Sequence, residues 1–147
     1  MQIRPLEQKE LGNYLRLLAF LSPTSVVTDP TVTTVWNQVQ ANLNHTIYGA
    51  WSTTLLVGAI TVYLEPKFIH KCGSVAHIED LIVHPEYRGL KIGSKLVAYV
   101  KDRLPSQVYK ISLNCRVELK PFYEKLGFSS EQSQMVIRQE EYPAPST

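Results

Sequence analysis

Apolar and polar positions recur with two different periods along the chain, and each period predicts a different element. Over residues 7–21 apolar side chains recur at helical spacing, so we predict an amphipathic helix there. Asp29-Pro30 combines a cap with proline at a first helical position, which predicts a second helix through about Leu43. The other predicted helices are 93–104 and 120–126, the latter followed by Gly127 as its C′ residue.

Runs of β-branched and aromatic residues predict the strands, at 2–5, 46–51, 55–63, 75–83, 109–115 and 134–138. Strict alternation along 75–83 would place His77, Glu79, Leu81 and Val83 on one face and Ile78, Asp80 and Ile82 on the other. This order of elements predicts one α+β domain over 1–140, with a mixed, mostly antiparallel sheet flanked by helices. Residues 141–147 are expected to form a flexible C-terminal tail.

Composition narrows the class of protein. The 147 residues are 44% hydrophobic and 19% charged, which is a globular balance, and a net charge of +2 is too small to indicate a nucleic-acid binder. Cys72 and Cys115 fit no metal-ligand spacing, so we expect two reduced thiols and no metal. No apolar signal-peptide core is present, and we expect a cytoplasmic protein without a membrane partner. An internal organelle-import signal would leave no trace in this pattern.

The segment 83–93 carries the strongest functional signal. A predicted strand ends, a turn follows with Gly89 and the cations Arg88 and Lys91, and a helix begins near Gly93. The free N–H groups and positive dipole end of a helix N-terminus attract phosphate, and glycine lets the backbone approach it. The segment therefore predicts a pyrophosphate site, although an ordinary solvated turn would need no more than these residues.

This loop resembles the acetyl-CoA loop of the GNAT superfamily, which reads Arg/Gln-x-x-Gly-x-Gly/Ala. Arg88 and Gly93 match, whereas Lys91 stands in place of the middle glycine. The segment 122–128 is similar to the superfamily's Phe-Tyr-x-x-x-Gly-Phe, although Leu119 occupies the place of a frequent asparagine. The resemblance implies a GNAT fold and acetyl-CoA as the co-substrate.

Four further segments resemble the glucosamine-6-phosphate N-acetyltransferase family. They are Lys67-Phe68-Ile69-His70, His77-Ile78-Glu79-Asp80, Tyr109-Lys110-Ile111 and Met135-Val136-Ile137-Arg138. This resemblance implies acetyl transfer to the amine of D-glucosamine 6-phosphate, giving N-acetylglucosamine 6-phosphate and CoA, in the hexosamine pathway to UDP-N-acetylglucosamine. It also implies a homodimer in which substrate contacts cross the subunit boundary.

The resemblance assigns the site residues. Those implied to bind acetyl-CoA are Asp80, Leu81, Ile82, Val83, Arg88, Gly89, Leu90, Lys91, Ile92, Gly93, Ser94, Asn114, Phe122, Tyr123 and Lys125. Those implied to bind the amino-sugar phosphate are Ser22, Lys67, Phe68, Ile69, His70, Ile78, Glu79, Asp80, Tyr109, Lys110 and Arg138. Lys110 and Arg138 are the implied phosphate contacts, because Arg offers a bidentate fork and Lys a point charge.

The implied catalytic residues are Glu79, Asp80 and Tyr123. Backbone N–H groups near Leu81 would polarise the acetyl carbonyl, and Tyr123 would either assist the departing thiolate or only pack. The family usually carries an acid at the position of Asn114, and an amide there cannot accept the proton. Glu79, Asp80, backbone carbonyls and solvent therefore all remain open as the proton acceptor. Cys115 is expected to pack, because direct transfer needs no cysteine nucleophile.

Two alternatives stay open. The chain could be a GNAT enzyme for another small amine or a peptide N-terminus, or a non-catalytic acyl-CoA-binding module. The cations Lys110 and Arg138 argue against the first, because an amine without phosphate does not need them. Glu79, Asp80 and Tyr123 argue against the second.

Overall fold

The computed structural model describes residues 1–139. Its strands are β1 (Gln2–Pro5), β2 (His45–Ser52), β3 (Leu55–Pro66), β4 (Ser74–Val83) and β5 (Val108–Ser112). Its helices are α1 (Leu11–Leu18), α2 (Pro30–Ala41), α3 (Ile69–Cys72), α4 (Ile92–Arg103) and α5 (Lys120–Lys125). Short 3₁₀ turns lie at Gln8–Glu10, Pro85–Tyr87 and Val117–Leu119. None of the helices within residues 1–139 has the length and apolar character that a membrane crossing requires.

The five strands form one sheet in the order β1-β2-β3-β4-β5. The first three pairs of neighbours are antiparallel, and β4 and β5 are parallel. The predicted mixed, mostly antiparallel sheet is therefore confirmed. A parallel pair needs a long crossover, and α4 supplies it between β4 and β5.

Each face of the sheet carries its own apolar cluster. On one face the stripe Ile92, Leu96, Val97 and Val100 of α4 packs against Val57, Ile60, Val62, Ala76 and Ile78. On the other face α1 and α2 place Tyr14, Leu17 and Trp36 against Leu56, Ala59 and Ile82. The apolar stripes predicted from the sequence for these helices are therefore the surfaces that pack against the two faces of the sheet.

Capping residues define the helix ends. The Asp29 side chain accepts a hydrogen bond from the Thr31 backbone N–H, and Pro30 begins α2 as predicted. Gly127 follows α5 with a φ of 98°, the left-handed conformation expected of a C′ residue. The helix predicted over 7–21 is shorter in the structure, because its first turn is 3₁₀ and its last turn has left α geometry.

Two strand predictions at the C-terminal end are wrong. The strand β5 stops at Ser112 instead of residue 115, because its pairing with β4 ends at His77–Ser112. No strand forms at 134–138 either, where Met135 and Ile137 are 93% and 94% exposed. This segment has the composition of a strand but pairs with no neighbour inside residues 1–139. The predicted tail 141–147 lies outside the described residues.

Candidate active site

A β-bulge interrupts β4 at the centre of the predicted site. Across the β3–β4 pair Ala59 faces Ile82 and Thr61 faces Glu79, so two residues of β4 stand opposite one residue of β3. Asp80 has a φ of 49°, a left-handed conformation that is costly for a non-glycine residue. Such a bulge leaves an extra residue outside the ladder and bends the strand.

The bulge overturns the predicted alternation along β4. Ile78 packs on the α4 face, and so do Leu81 and Val83, whereas Ile82 packs against α1. Strict alternation would have placed Leu81 on the opposite face of the sheet from Ile78. The extra residue shifts the period by one position, and so the side chains beyond Asp80 change face.

The bulge also frees backbone donors. The ladder between β4 and β5 ends at His77, so the residues around the bulge have a disturbed ladder on the β3 side and no described partner on the β5 side. Asp80 and Leu81 therefore have no residue partner in either ladder, and their N–H groups are candidate donors to a ligand. Fixed N–H donors of this kind stabilise the oxyanion of acyl transfer.

The segment 83–93, the predicted phosphate loop, has the strand–turn–helix geometry that the sequence predicted. His84 caps the turn by accepting from the Glu86 N–H at 3.2 Å, and α4 begins at Ile92. Gly89 has a φ of 81°, the conformation that glycine adopts most easily. Arg88 and Lys91 are exposed and form no ion pair within the described chain. They are free to meet an anion at the helix terminus.

Gly93 joins this loop to α5. A Cβ at Gly93 would lie 3.3 Å from Cζ of Phe122 and 3.8 Å from Cγ2 of Val83. The start of α4, the end of β4 and α5 therefore meet without room for a side chain. The rings of Phe122 and Tyr123 pack edge to face at 4.9 Å, so the same contact places Tyr123.

Tyr123 is 9% exposed and also contacts the Phe128 ring edge to face at 5.8 Å. Burial raises the pKa of Tyr123, and the nearby Cys115 raises it further. The phenol therefore keeps its proton at neutral pH and can donate a hydrogen bond. Cys115 itself is exposed, so the expectation that it packs is wrong.

An open groove of about 980 Å³ follows β5 and α5 and is closed on its far side by the segment 127–134. Four predicted site residues line it, namely Tyr109, Lys110, Asn114 and Tyr123. Glu79, Asp80 and the phosphate loop are not part of its walls. The predicted residues thus lie in two neighbouring places: the groove beside β5, and the bulge together with the segment 83–93. Tyr123 lines the groove, and its neighbour Phe122 packs beside Gly93 at the start of α4, so these two residues connect the two places.

The tip of the β3–β4 hairpin lies against the start of β5. His70, Lys71 and Cys72 have φ values of 51°, 58° and 59°, and this left-handed turn stacks the His70 ring on Tyr109 at 4.3 Å. The predicted substrate segment 67–70 is therefore next to Tyr109 and Lys110. Phe68 is 97% exposed, which is unusual for an aromatic ring without a ligand or partner.

Glu65 contacts two polar side chains near this tip, those of His77 and Lys67. Its carboxylate accepts from His77 Nε2 at 2.9 Å and lies 3.2 Å from Lys67 Nζ. These contacts with His77 and Lys67 lower the pKa of Glu65. Lys67 therefore has a carboxylate partner in the protein, whereas Lys110 has no ion-pair partner in residues 1–139.

Several predicted contacts need revision. Ile78, Ile82 and Ile92 are 3%, 5% and 6% exposed, so any contact that they make with a ligand must use the backbone. Ser22 at the end of α1 and Arg138 are both exposed. Neither side chain has an ion pair or a hydrogen bond in the described structure. Within one chain, therefore, no ion pair or hydrogen bond of the described residues links Ser22 or Arg138 to Lys110.

The sequence pattern does not point to Tyr14 and Thr61. Both are buried, and Tyr14 packs with Ala59 and Ile82, the pair next to the bulge; burial raises the pKa of Tyr14, and the negative charge of Asp80 adds to that rise. Tyr14 belongs to the apolar stripe of α1, and Thr61 belongs to a run of strand-forming residues. Packing in a helix or a strand therefore explains both residues in the sequence pattern, which gives no sign of another role. Only the register of β3 against β4 places them near Asp80.

Lys91→Gly should separate stability from phosphate binding. Lys91 has a φ of 62°, and replacing a left-handed lysine with glycine should raise the free energy of unfolding by about 0.5–1 kcal/mol after the entropy of glycine is subtracted. Affinity for acetyl-CoA should fall, with a weaker salt dependence, because a cation at the helix terminus is lost. Denaturant unfolding and calorimetry measure the two effects.

Lys95→Gly is the matched control, because Lys95 is an exposed cation inside α4. Glycine at this position should lower the free energy of unfolding by about 1 kcal/mol. A rise in acetyl-CoA affinity for Lys91→Gly would show that Lys91 makes no contact with phosphate.

Comparison with known proteins agrees with this geometry. Residues 14–128 match the model of the acetyltransferase (GNAT) family. Over 140 residues the chain is 35% identical to glucosamine 6-phosphate N-acetyltransferase of Arabidopsis thaliana, covering 91% of this chain and 93% of the relative. It is 30% identical to the Trypanosoma brucei brucei protein of the same name, covering 92% and 93%.

The fold comparison gives the same result. The crystal structure of the Arabidopsis thaliana enzyme superposes with a TM-score of 0.86 at 33% identity, covering 93% of this chain and 97% of that one. The residues matched by the family model, 14–128, include the bulged strand β4 and the segment 83–93. The chain belongs to the GNAT family of acetyltransferases.

Proposed function

We propose that this acetyltransferase transfers the acetyl group of acetyl-CoA to the amine of D-glucosamine 6-phosphate. The observation that supports the proposal is the bulge at Asp80, which interrupts the β3–β4 ladder beside two exposed carboxylates, on the strand that leads into the turn before α4. The names of the relatives support the choice of acceptor. The product, N-acetylglucosamine 6-phosphate, would enter the synthesis of UDP-N-acetylglucosamine.

The reaction starts from a neutral amine, because only the free lone pair can attack the thioester carbonyl. Glu79 precedes the bulge, Asp80 lies in it, and both are exposed, so either carboxylate can take the amine proton directly or through water. Backbone N–H groups near Leu81 stabilise the oxyanion as the C–N bond forms. The C–S bond then breaks and CoA leaves as a thiolate.

Tyr123 assists this last step. The hydroxyl is protonated at neutral pH because burial raises its pKa, so it can donate to the sulfur as negative charge develops there. Phe122 and Gly93 fix the ring against the start of α4. The hydroxyl is therefore held at a constant position relative to the loop that binds the pyrophosphate.

The sugar phosphate is bound at the mouth of the groove beside β5. Lys110 lines this groove without an ion-pair partner in the described chain, and His70 of the hairpin tip stacks on Tyr109, another residue of the groove wall. Lys110 supplies a point charge to the phosphate, and the exposed Phe68 offers an apolar surface to the sugar ring.

Arg138 completes the phosphate site from a second copy of the chain. Within residues 1–139 the outer edge of β5 is unpaired, and the segment at 134–138 has strand composition but pairs with no strand of that range. Met135 and Ile137 are almost fully exposed, which is a large cost unless another surface covers them. Exchange of this segment between two copies would cover both side chains and pair both β5 edges.

Mixed dimers test this exchange. Chains carrying Tyr123→Phe and chains carrying Arg138→Ala are each expected to form impaired homodimers. In a mixed dimer with exchange, one site receives both substitutions, and the other has an intact Tyr123 and an intact Arg138. Mixing should therefore restore about half of the wild-type rate per mixed dimer. If each Arg138 serves its own chain, both sites stay impaired and mixing restores nothing.

An assay of thiol release tests the proposed acceptor. Acetyl-CoA is incubated with the enzyme alone, with glucosamine 6-phosphate, with a polyamine or with a peptide bearing a free N-terminus. We expect rapid release only with the sugar phosphate. Release with another amine alone would favour a GNAT enzyme for that amine, and binding of acetyl-CoA without release would favour a non-catalytic module.

A further inference from the structure

Three polar side chains form a contiguous group between β4 and the hairpin tip. Oε1 of Glu65 accepts a hydrogen bond from His77 Nε2 at 2.9 Å, and Oε2 of Glu65 lies 3.2 Å from Lys67 Nζ. An ionised carboxylate can only accept hydrogen bonds, so Nε2 of His77 carries the hydrogen. The side chains of Glu65, Lys67 and His77 are about one-third exposed, at 37%, 35% and 32%. The group is therefore ordered by direct contacts and is still open to solvent.

The register of the sheet places this group on the same face as Lys110. Glu65 is the neighbour of Val75 across the β3–β4 pair, and Val75 is the neighbour of Lys110 across the β4–β5 pair. Residues that face each other across a ladder point to the same side of the sheet. Neighbouring strands lie about 4.8 Å apart, so the Cα atoms of Glu65 and Lys110 are about 10 Å apart.

A bare carboxylate at this place would oppose the binding of an anion at Lys110. Lys110 lines the groove and has no ion-pair partner in residues 1–139. The distance to Glu65 is close to the Debye length at physiological salt, about 8 Å, so a phosphate on Lys110 would still be repelled by an uncompensated Glu65. The ammonium of Lys67 compensates this charge, and His77 holds the carboxylate from its other side.

The hairpin tip does not need this ion pair for its shape. The backbone N–H of Lys67 donates to Gly73 O at 2.9 Å, and the N–H of Gly73 donates to His70 O at 3.1 Å. The His70 ring also stacks on Tyr109. Ion pairs that are open to solvent add little to stability. The contact between Lys67 and Glu65 therefore has its main consequence in the local charge.

We infer that Lys67 neutralises Glu65 so that an anionic acceptor can bind at Lys110, and that Lys67 itself does not hold the phosphate. This inference rests on the proposed acetyl transfer to a sugar phosphate, and it adds a specificity determinant to that function. Lys67 acts through Glu65 and touches no reacting atom. The preference for a phosphorylated sugar thus depends on the compensation of a carboxylate as well as on the cation that meets the phosphate.

Variants that change the charge of this pair test the inference through the KM for glucosamine 6-phosphate. Lys67→Met leaves the carboxylate bare and should raise this KM about threefold to tenfold at low salt, with a smaller rise at high salt. Glu65→Gln leaves the ammonium bare and should lower the same KM. The double variant Glu65→Gln/Lys67→Met has no net charge at this place, as in the wild type, and should return the KM to within about twofold of the wild-type value.

The double variant decides between compensation and direct contact. If its KM stays as high as that of Lys67→Met alone, Lys67 contacts the phosphate itself, and the inference is overturned. In all three variants kcat should stay near the wild-type value, because the phosphate is bound similarly in the ground and transition states. The KM for unphosphorylated glucosamine should not follow the charge of the pair. Thermal melting checks that each variant is folded.

Lys71→Met is the matched control. Lys71 is an exposed cation of the same hairpin tip and has no ion-pair partner in residues 1–139. Its loss should change the KM for glucosamine 6-phosphate less than about twofold. A rise as large as that of Lys67→Met would show that any cation at the tip has the effect, which would overturn the role of the Lys67–Glu65 pair.

The wild-type enzyme separates this inference from the proposed function. Equal kcat/KM values for the two sugars in the wild type would overturn the proposed acceptor and this inference with it. If the wild type prefers the phosphorylated sugar, the proposed acceptor stands. A double variant that then keeps the raised KM of Lys67→Met overturns the inference alone.

Discussion

The Tyr123→Phe enzyme should lose about two orders of magnitude in kcat while both KM values remain near those of the wild type. The phenylalanine ring keeps the edge-to-face contacts with Phe122 and Phe128, so the packing of α5 is preserved. In the proposed mechanism the hydroxyl acts only after charge has developed on the sulfur, and a loss confined to kcat is the signature of such an interaction. Single-turnover kinetics should be used, so that product release does not hide the chemical step.

Tyr99→Phe is a suitable control for this experiment. Tyr99 lies on α4, where it contacts Tyr48 edge to face and lies beneath the Arg103 guanidinium, away from the groove residues. Its hydroxyl should be dispensable for turnover. If Tyr123→Phe retains the wild-type rate of the chemical step, the ring only packs, and the proton must come from water.

Gly93→Val should reduce acetyl-CoA affinity by about tenfold to a hundredfold, the equivalent of about 1–3 kcal/mol for overpacking. The first added carbon would already lie 3.3 Å from Phe122, and the two methyl groups of valine would force α4 and α5 apart. The displacement moves the phosphate loop and Tyr123 together. Isothermal titration of the folded variant with acetyl-CoA gives the affinity directly.

Gly12→Ala provides the control for adding a side chain to a helix. A Cβ at Gly12 meets only the far end of the Arg16 side chain, at 3.6 Å, so alanine should be accepted there and should stabilise α1 slightly. Acetyl-CoA affinity should not change. Native affinity in a folded Gly93→Val protein would contradict the assignment of the loop as the cofactor site.

Local signals in the sequence were sufficient for most of the fold. The helical stripes of α1 and α4, the Asp29 cap and the strand composition of β2, β3 and β4 correctly predicted a mixed sheet flanked by helices. These elements are determined by short-range periodicity and by capping, which a sequence displays directly. The strand–turn–helix order of residues 83–93 was predictable for the same reason.

The features that depend on register were not predictable. The bulge at Asp80 arises from the pairing of β3 with β4, and it reversed the faces assigned to Leu81 and Val83. The position of Thr61 opposite Glu79 depends on the same register. The segment at 134–138 has the composition of a strand, but composition does not determine where a strand finds its neighbour, or in which chain.

The central claim is that Lys110 and Arg138 make this enzyme specific for an amine that carries a phosphate. The most direct test compares kcat/KM for glucosamine 6-phosphate and for unphosphorylated glucosamine, in the wild type and in Lys110→Ala. We expect the wild type to prefer the phosphorylated sugar by about a hundredfold or more, as lost charge-assisted contacts imply, and Lys110→Ala to lose most of that preference through a higher KM. Equal kcat/KM values for the two sugars in the wild type would contradict the claim.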